Sequence, residues 1–342
     1  MRAGFRAALL ATFAAIALNC LLPAARAGQP GFRPIPLTAT PITTFLHGSS
    51  ATDFGRLKFL GGLQLSSTDS DFGSLSGLDI APDGRTLYAI ADNGFWFAAT
   101  MVEDGMRLTG LVDAKLAPIL DRSGQVVSTK RLGDAEGLRL ATIGGRLVAF
   151  VSFEQVNNVR EYLGPDFGRA ASKPLKLPPM VSGMTRNKGL ESVAVATPAS
   201  GLGSALVLVA ERSLDKAGDN RAWIVGGPHE GAFSIGRSSN YDVTDAAFMA
   251  NGDLLILERK IGFPSGLYMR IRRFPGAAIR PGATVEGETL IEADLRNQID
   301  NMEGLAVREG PAGETLLYVV SDDNQNPLQR TLLLQFALPA SP

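Results

Sequence analysis

A short strand-like phrase that carries one polar residue into an apolar run occurs five times in this chain. The polar residues lie 60, 55, 54 and 58 residues apart, and they are Ser76, Glu136, Glu191, Asp245 and Glu303. A period of this length, with strand patterning inside each unit and no helical periodicity, is typical of a β-propeller blade of four antiparallel strands. The repeat therefore predicts an all-β fold that forms a single β-propeller.

A second acid recurs in each unit, at the end of a β-rich run. These second acids are Asp92, Glu154, Glu211, Glu258 and Asp322. Turn sequences such as Pro-Asp-Gly at 82–84 separate the two runs, and tight hairpins need such residues. Because a hairpin returns its second strand to the end where the first began, both acids of each unit are predicted to lie near one mouth of the central channel. Nine carboxylates would converge there.

Five blades are predicted, and the fifth is expected to join the two ends of the chain. After Asp322 only one clear strand follows, at 331–338, so the β-patterned segment 57–65 is predicted to supply the missing outer strand and to remove an exposed sheet edge. Six blades are the alternative, if residues 42–50 and their neighbours build a further unit. The propeller is predicted to span residues 56–340, after an extended leader at 28–55.

The first residues have the pattern of an export signal. Arg2 and Arg6 precede an apolar run at 7–22, and Ala-Arg-Ala at 25–27 matches a cleavage site. Residues 1–27 are therefore predicted to be a signal peptide, and we expect a periplasmic or secreted protein that does not associate with a membrane after the signal is removed. The single cysteine, Cys20, lies inside this segment, so no cysteine chemistry is expected in the mature chain.

Composition and motifs exclude several classes of function. The formal net charge of -1 gives no reason to expect nucleic acid as a partner. A serine–histidine mechanism is disfavoured because no G-x-S-x-G elbow exists and because His47 and His229 lie outside the marked positions. Zinc sites built from histidine and cysteine lack the necessary ligands. We expect a monomer whose partner is a small-molecule ester or phosphate ester.

The recurrent carboxylates point to a hard divalent cation. Ca²⁺ takes roughly six to eight oxygen ligands with tolerant geometry, and it is the cation expected here. The predicted ligands, with Asn187 and Asn301 as helpers, are Glu136, Glu191, Asp245, Glu303 and Asp322. The alternative is a structural role, in which these acids only satisfy backbone groups or pair with arginine.

The predicted catalytic residues come from the second acids and the cations that follow them. Glu211 and Glu258 are the candidate general bases, which would take a proton from an attacking water. Arg212 and Arg259 directly follow these acids and would stabilise developing negative charge. Lys260 is a further cation at this place.

Several phrases taken together resemble the phytase-like domain family, which is described as having esterase-like activity. The likeness spans about residues 57–338, and the phrases lie at 72–78, 92–94, 134–138, 189–192, 257–259, 301–305, 321–324 and 329–333. The resemblance implies an exported propeller related to the calcium-dependent propeller phytases, which hydrolyse phosphate monoesters with clustered carboxylates and bridging Ca²⁺. Those phytases surround phosphate with many basic residues, whereas only a few, such as Arg139, lie near the predicted mouth in this chain.

The pattern and the resemblance together predict an exported metal-dependent hydrolase of ester or phosphoester bonds, with its active site at the mouth of the channel. Two alternatives stay open. One is a non-catalytic propeller that binds a ligand or a partner at the same mouth, since one fold hosts many functions. The other is a calcium-dependent lactonase-like enzyme.

Overall fold

Five antiparallel sheets form a ring in the computed structural model, which describes residues 29–127, 129–184, 189–262 and 266–340. The fold is a five-bladed β-propeller, as the repeat predicts. The predicted signal peptide at 1–27 and the candidate ligand Asn187 lie outside the described residues. Within the described ranges, no helix is long and apolar enough to span a membrane.

Each blade is a sheet whose strands follow one another from the channel outwards. Blade one contains Leu75–Ile80, Thr86–Ala91, Phe95–Asp104, Arg107–Pro118 and Arg33–Pro34, and blade two contains Ala135–Ile143, Arg146–Phe153, Asn158–Leu163 and Lys173–Pro174. Blade three contains Leu190–Val195, Leu206–Leu214, Asn220–Val225, Gly231–Ile235 and the parallel Thr284–Val285, and blade four contains Asp242–Phe248, Leu254–Gly262, Gly266–Phe274 and Glu288–Asp294. Blade five contains Asn301–Glu309, Thr315–Asp322, Thr331–Leu338, Leu57–Ser66 and Thr38–Ile42. Asp53–Phe54 pairs with the start of Leu57–Ser66, and the short helices are Lys130–Gly133, Phe167–Arg169, Pro198–Ser200 and Gly276–Ala278.

The ring closes by joining the two ends of the chain in blade five. Leu57–Ser66 pairs antiparallel with Thr331–Leu338, which confirms the predicted origin of the missing outer strand. The innermost strand of blade five also contacts that of blade one, Leu75–Ile80. The six-blade alternative is wrong for the described chain, because residues 38–42 form the outer edge of blade five rather than a further unit.

The predicted leader is ordered against the body. Arg33–Pro34 pairs with the outer strand of blade one, and Thr38–Ile42 pairs with the outer part of blade five. The Arg33 guanidinium also binds the carboxylates of Asp69 and Asp71. The leader therefore bridges the seam where the ring closes.

Buried apolar side chains lie between neighbouring blades. Five clusters exist, each formed by two adjacent sheets, and Trp96 of blade one meets Tyr162 of blade two edge to face with ring centroids 5.3 Å apart. A blade is thus covered on both faces, so its middle strands are apolar without alternation, as in residues 205–209. This packing leaves the ends of the innermost strands as the places where polar side chains gather.

Candidate functional site

A β-bulge recurs at the same place on the innermost strand of every blade. There the strand gains one residue relative to the second strand of its blade. The bulged residues are Ser76, Glu136, Glu191, Thr244 and Glu303. Bulges often lie next to active sites, where they aim a side chain away from the regular ladder. In this propeller they present four of the five polar residues marked in the sequence.

Blade four departs from the predicted ring by one residue. Val243 pairs with Glu258 and Asp245 pairs with Leu257, so Thr244 occupies the bulge. The same offset affects the second strand, where Arg259 pairs with Asp242 and takes the position that acids hold in the other blades. Because successive side chains point to opposite faces of a strand, the offset turns Asp245 and Glu258 away from the mouth.

The corrected second ring contains one cation among four acids. Its members are Asp92, Glu154, Glu211, Arg259 and Asp322. The first ring contributes Ser76, Glu136, Glu191 and Glu303 to the same opening. Together they line a cavity of about 770 Å³ at one mouth of the channel, with eight carboxylates in its described wall.

Burial and mutual repulsion raise the pKa values of these carboxyl groups. Burial is the first cause in each case, and the negative charges of neighbouring acids add to it. The pKa values of Glu136 and Glu191 are raised well above the ordinary value, that of Glu303 to about 8, and those of Glu154 and Asp322 to about 7. A bound cation would relieve this repulsion.

Two groups of carboxylates are close enough to share a cation. Asp134, Glu136 and Glu154 each offer an oxygen within 4.8 Å of the others, and so do Glu154, Glu191 and Glu211. Glu154 belongs to both groups. All donors are carboxylate oxygens, which suit Ca²⁺ or another hard divalent ion. The residues present therefore fit the cation that the sequence predicts, and the finer assignment of Ca²⁺ stays a proposal.

Asp134 is a wall residue that the sequence prediction missed. It precedes the innermost strand of blade two and lies two residues before Glu136. In extended chain, residues two apart point to the same side, so this spacing was the available signal. Asn301 has the same relation to Glu303 and donates a 2.8 Å hydrogen bond to its carboxylate.

Arg259 connects the two rings. Its guanidinium lies 2.7 Å from a carboxylate oxygen of Glu303 and 3.7 Å from one of Glu211, and it donates a hydrogen bond to Asn301. It is the one basic side chain in the described wall of the cavity. Arg259 is thus placed to contact a negatively charged group that binds beside the carboxylates.

A buried ion pair lies deeper along the innermost strands than the acids that line the cavity. Arg139 of blade two pairs with Asp245 of blade four at 2.9 Å. Its guanidinium also donates to the carbonyl oxygens of Leu78 at 2.9 Å, Ala246 at 2.6 Å and Leu305 at 2.7 Å, which belong to three different blades. Asp245, predicted as a metal ligand, instead accepts from Arg139 and from the Leu305 amide. Beyond Arg139, at the other mouth, lies a separate cavity of about 460 Å³.

Two predicted catalytic residues lie outside this cavity. Glu258 is fully buried and accepts hydrogen bonds of 2.7 Å from Arg270 and 2.8 Å from Arg272. Arg212 turns to the opposite face of its strand from Glu211 and pairs with Asp242. Glu211 and Arg259 remain in the wall, as do the predicted metal ligands other than Asp245.

Comparisons with known proteins identify the family and show related folds. A family model described as "Phytase-like: Esterase-like activity of phytase" matches residues 70–325. A search of curated protein sequences finds no significant match. Among solved structures, an α-L-arabinofuranosidase from Podospora anserina has 10% identity and a TM-score of 0.46, with 90% of this chain and 98% of that chain covered.

Two further solved structures are similar in the same degree. A thermostable family-43 glycoside hydrolase has 9% identity and a TM-score of 0.49 over 79% of this chain and 96% of its own. A gluconolactonase from Xanthomonas campestris has 13% identity and a TM-score of 0.40 over 90% of this chain and 99% of its own. At such identities and scores these structures say nothing about the activity of the present chain.

Proposed function

We propose that this chain, which belongs to the phytase-like family through the match over residues 70–325, is a metal-dependent hydrolase of ester or phosphoester bonds. The observation that carries the proposal is the convergence of eight carboxylates and Arg259 on one cavity of about 770 Å³. Export to the periplasm or beyond, and a monomeric state, belong to the same proposal.

The carboxylates of Asp134, Glu136, Glu154 and Glu191 would hold the cation, because they belong to the two groups whose oxygens can share one; Glu211, the remaining member, would lie beside the cation as the general base. When bound, a divalent cation such as Ca²⁺ polarises a scissile group and lowers the pKa of an attacking water. Glu303 and Asp322 line the same wall and would complete the oxygen-rich surroundings.

The other roles fall to side chains in contact with one another. Glu211 accepts the proton of the attacking water, and its carboxylate lies 3.7 Å from Arg259. Arg259 donates hydrogen bonds to the oxygen on which negative charge develops.

The test compares substrates with and without chelator. Purified protein is assayed on p-nitrophenyl phosphate, p-nitrophenyl acetate and γ-butyrolactone, before and after EDTA and again after Ca²⁺ is restored. We expect hydrolysis of an ester or phosphoester that EDTA abolishes and Ca²⁺ restores. Turnover confined to the lactone would favour the lactonase alternative, and binding without turnover would favour the binding module.

A variant pair locates the site. Glu191→Gln removes one ligand charge and should lower kcat by at least about 100-fold, since general electrostatic and acid–base contributions are of that size. Glu309→Gln makes the same change on an exposed strand end and should leave kcat unchanged. Full activity in Glu191→Gln would refute the proposed site.

A further inference from the structure

The hairpin of blade four extends above the ring of acids, as the second strand of blade three does through Leu214. Its strands, Leu254–Gly262 and Gly266–Phe274, stay paired past Arg259, with Ile261 opposite Leu267. In blade one the corresponding strands stop at the ring, because Thr86–Ala91 ends one residue before Asp92. The extension of blade four therefore adds wall above the carboxylates.

The two faces of this hairpin have different characters. Arg259 and Ile261 are two residues apart on one strand, so their side chains share a face, and both line the cavity. Lys260 points the other way, and its ammonium group lies 4.5 Å from the ring centroids of both Tyr241 and Tyr268. These cation–π contacts hold the outer face of the hairpin against the rest of blade four.

The cavity face of the hairpin is apolar at its top. Ile261 is 79% exposed, and its strand partner Leu267 is half-buried. They are the two apolar side chains in the described lining of the cavity, and the other lining residues are polar or charged. An isoleucine so exposed beside charged groups gains free energy when an apolar group covers it.

We propose that Ile261 and Leu267 form an apolar subsite for the organic group of the substrate, and that Arg259 receives its anionic end. Arg259 and Ile261 are about 7 Å apart along the strand, which is the size of a short alkyl or aryl group joined to a phosphate or carboxylate. The preferred substrate is thus a monoester with a hydrophobic group. A densely phosphorylated polyol would leave both apolar side chains without a partner.

This inference rests on the proposed function, because the carboxylates must face the bond that reacts. Its test is nevertheless a binding measurement that needs no turnover. Calorimetry with Ca²⁺ present compares hexyl phosphate with methyl phosphate. Each buried methylene strengthens binding about three- to fourfold, so cover of two or three methylenes predicts hexyl phosphate to bind at least tenfold tighter.

A double variant assigns the preference to the subsite. In Ile261→Thr/Leu267→Thr we expect a preference below threefold and an unchanged affinity for methyl phosphate, since threonine keeps the strand tendency of the site. The matched control is Ile143→Thr, an exposed isoleucine at the opposite mouth, which should keep the full preference. Melting temperatures of all variants establish that they are folded.

The outcomes separate the subsite from the enzyme. Equal or undetectable binding of the two phosphates by the natural protein, or a full preference in the double variant, overturns the subsite. A preference that the double variant loses supports the subsite even if the protein hydrolyses none of the esters and phosphoesters assayed above, and in that case it is the hydrolase proposal that fails. Chelator-sensitive hydrolysis of p-nitrophenyl phosphate without a preference leaves the hydrolase standing and overturns the subsite.

Discussion

Replacement of Arg139 by methionine tests its buried ion pair with Asp245. Methionine keeps much of the apolar stem but removes the guanidinium, so Asp245 loses its charged partner and three carbonyl oxygens lose a donor. Both side chains are almost completely shielded from water. The carboxyl group of Asp245 must therefore stay protonated, or ionise with only the amides of Ala246 and Leu305 as donors.

The size of the effect depends on pH. Burial raises the pKa of Asp245 to about 7, although Arg139 acts against this, and removal of Arg139 raises that pKa further. At pH 5.5 the carboxyl is protonated with or without Arg139, so the variant loses only hydrogen bonds, about 1 to 3 kcal/mol. At pH 8.5 the natural protein has an ionised, paired Asp245 and the variant does not, so the loss grows to about 3 to 5 kcal/mol.

Thermal unfolding at the two pH values measures this difference. At roughly 2 °C per kcal/mol, Tm should fall by about 2 to 6 °C at pH 5.5 and by about 6 to 10 °C at pH 8.5. Asp245→Asn added to Arg139→Met should reduce the dependence of the loss on pH, and Asp79, whose raised pKa Arg139 also lowers, should account for the remainder. Arg280→Met, at an exposed position, should change Tm by less than about 1 °C. A loss from Arg139→Met that is equal at both pH values would refute the buried ion pair.

Three other predictions concern the carboxylates of the two rings, the buried acid Glu258 and the close contact between Gly137 and the next blade. The Tm of the chelated protein should fall from pH 5 to pH 8, because the raised pKa of Glu303, about 8, makes the folded state bind more protons than the unfolded state. Ca²⁺ should therefore raise Tm more at pH 8 than at pH 5. A larger gain at pH 5 would contradict this. Glu258→Gln should lower the free energy of unfolding by about 3 to 5 kcal/mol with little change in KM. Glu211→Gln should lower kcat and leave Tm nearly unchanged. The reverse pattern would contradict the placement of Glu258 in the core and of Glu211 in the cavity wall. Gly137→Ala should lower the free energy of unfolding in urea by about 1 to 3 kcal/mol, because its Cβ would lie 2.8 Å from a carbonyl oxygen of the next blade. Gly110→Ala is the control and should be nearly neutral, because its Cβ would meet nothing closer than 3.8 Å.

The blades were predictable because their signals are local. Strand patterning, the turn residues at 82–84 and the period between marked residues depend on neighbours along the chain. The closure of blade five by Leu57–Ser66 was also predictable, since a lone edge strand needs a partner. These features required no knowledge of which side chains meet across the ring.

The members that blade four contributes to the two rings were not predicted, because two adjacent polar residues matched the same position of the repeat. Thr244 and Asp245 are neighbours, and the acid resembles the marked residues of the other blades more closely than the threonine does. In the other blades an apolar residue, the bulged residue and a Gly or Ser follow one another, and Val243 with Thr244 matches the start of that pattern. Alignment by the apolar residue would have placed Thr244 and Arg259 correctly.

The partners of buried charges could not be predicted from the repeat. Arg139 meets Asp245 across the axis, and Glu258 meets Arg270 and Arg272 on the adjacent strand. Such pairs depend on side-chain directions and on distances between blades, which the repeat does not contain. For a charged residue in a repeated position, the sequence therefore predicts the blade to which it belongs but not the residue with which it pairs.

The guanidinium of Arg139 has a consequence for the passage of small molecules. It donates hydrogen bonds to carbonyl oxygens of three other blades, deeper along the innermost strands than the acids of the cavity, so a molecule that moved along the axis would have to displace these bonds. A ligand that binds above the carboxylates is therefore expected to leave by the mouth through which it entered. Under the proposed function, product and substrate would compete for that mouth, and slow release of product would delay the next reaction.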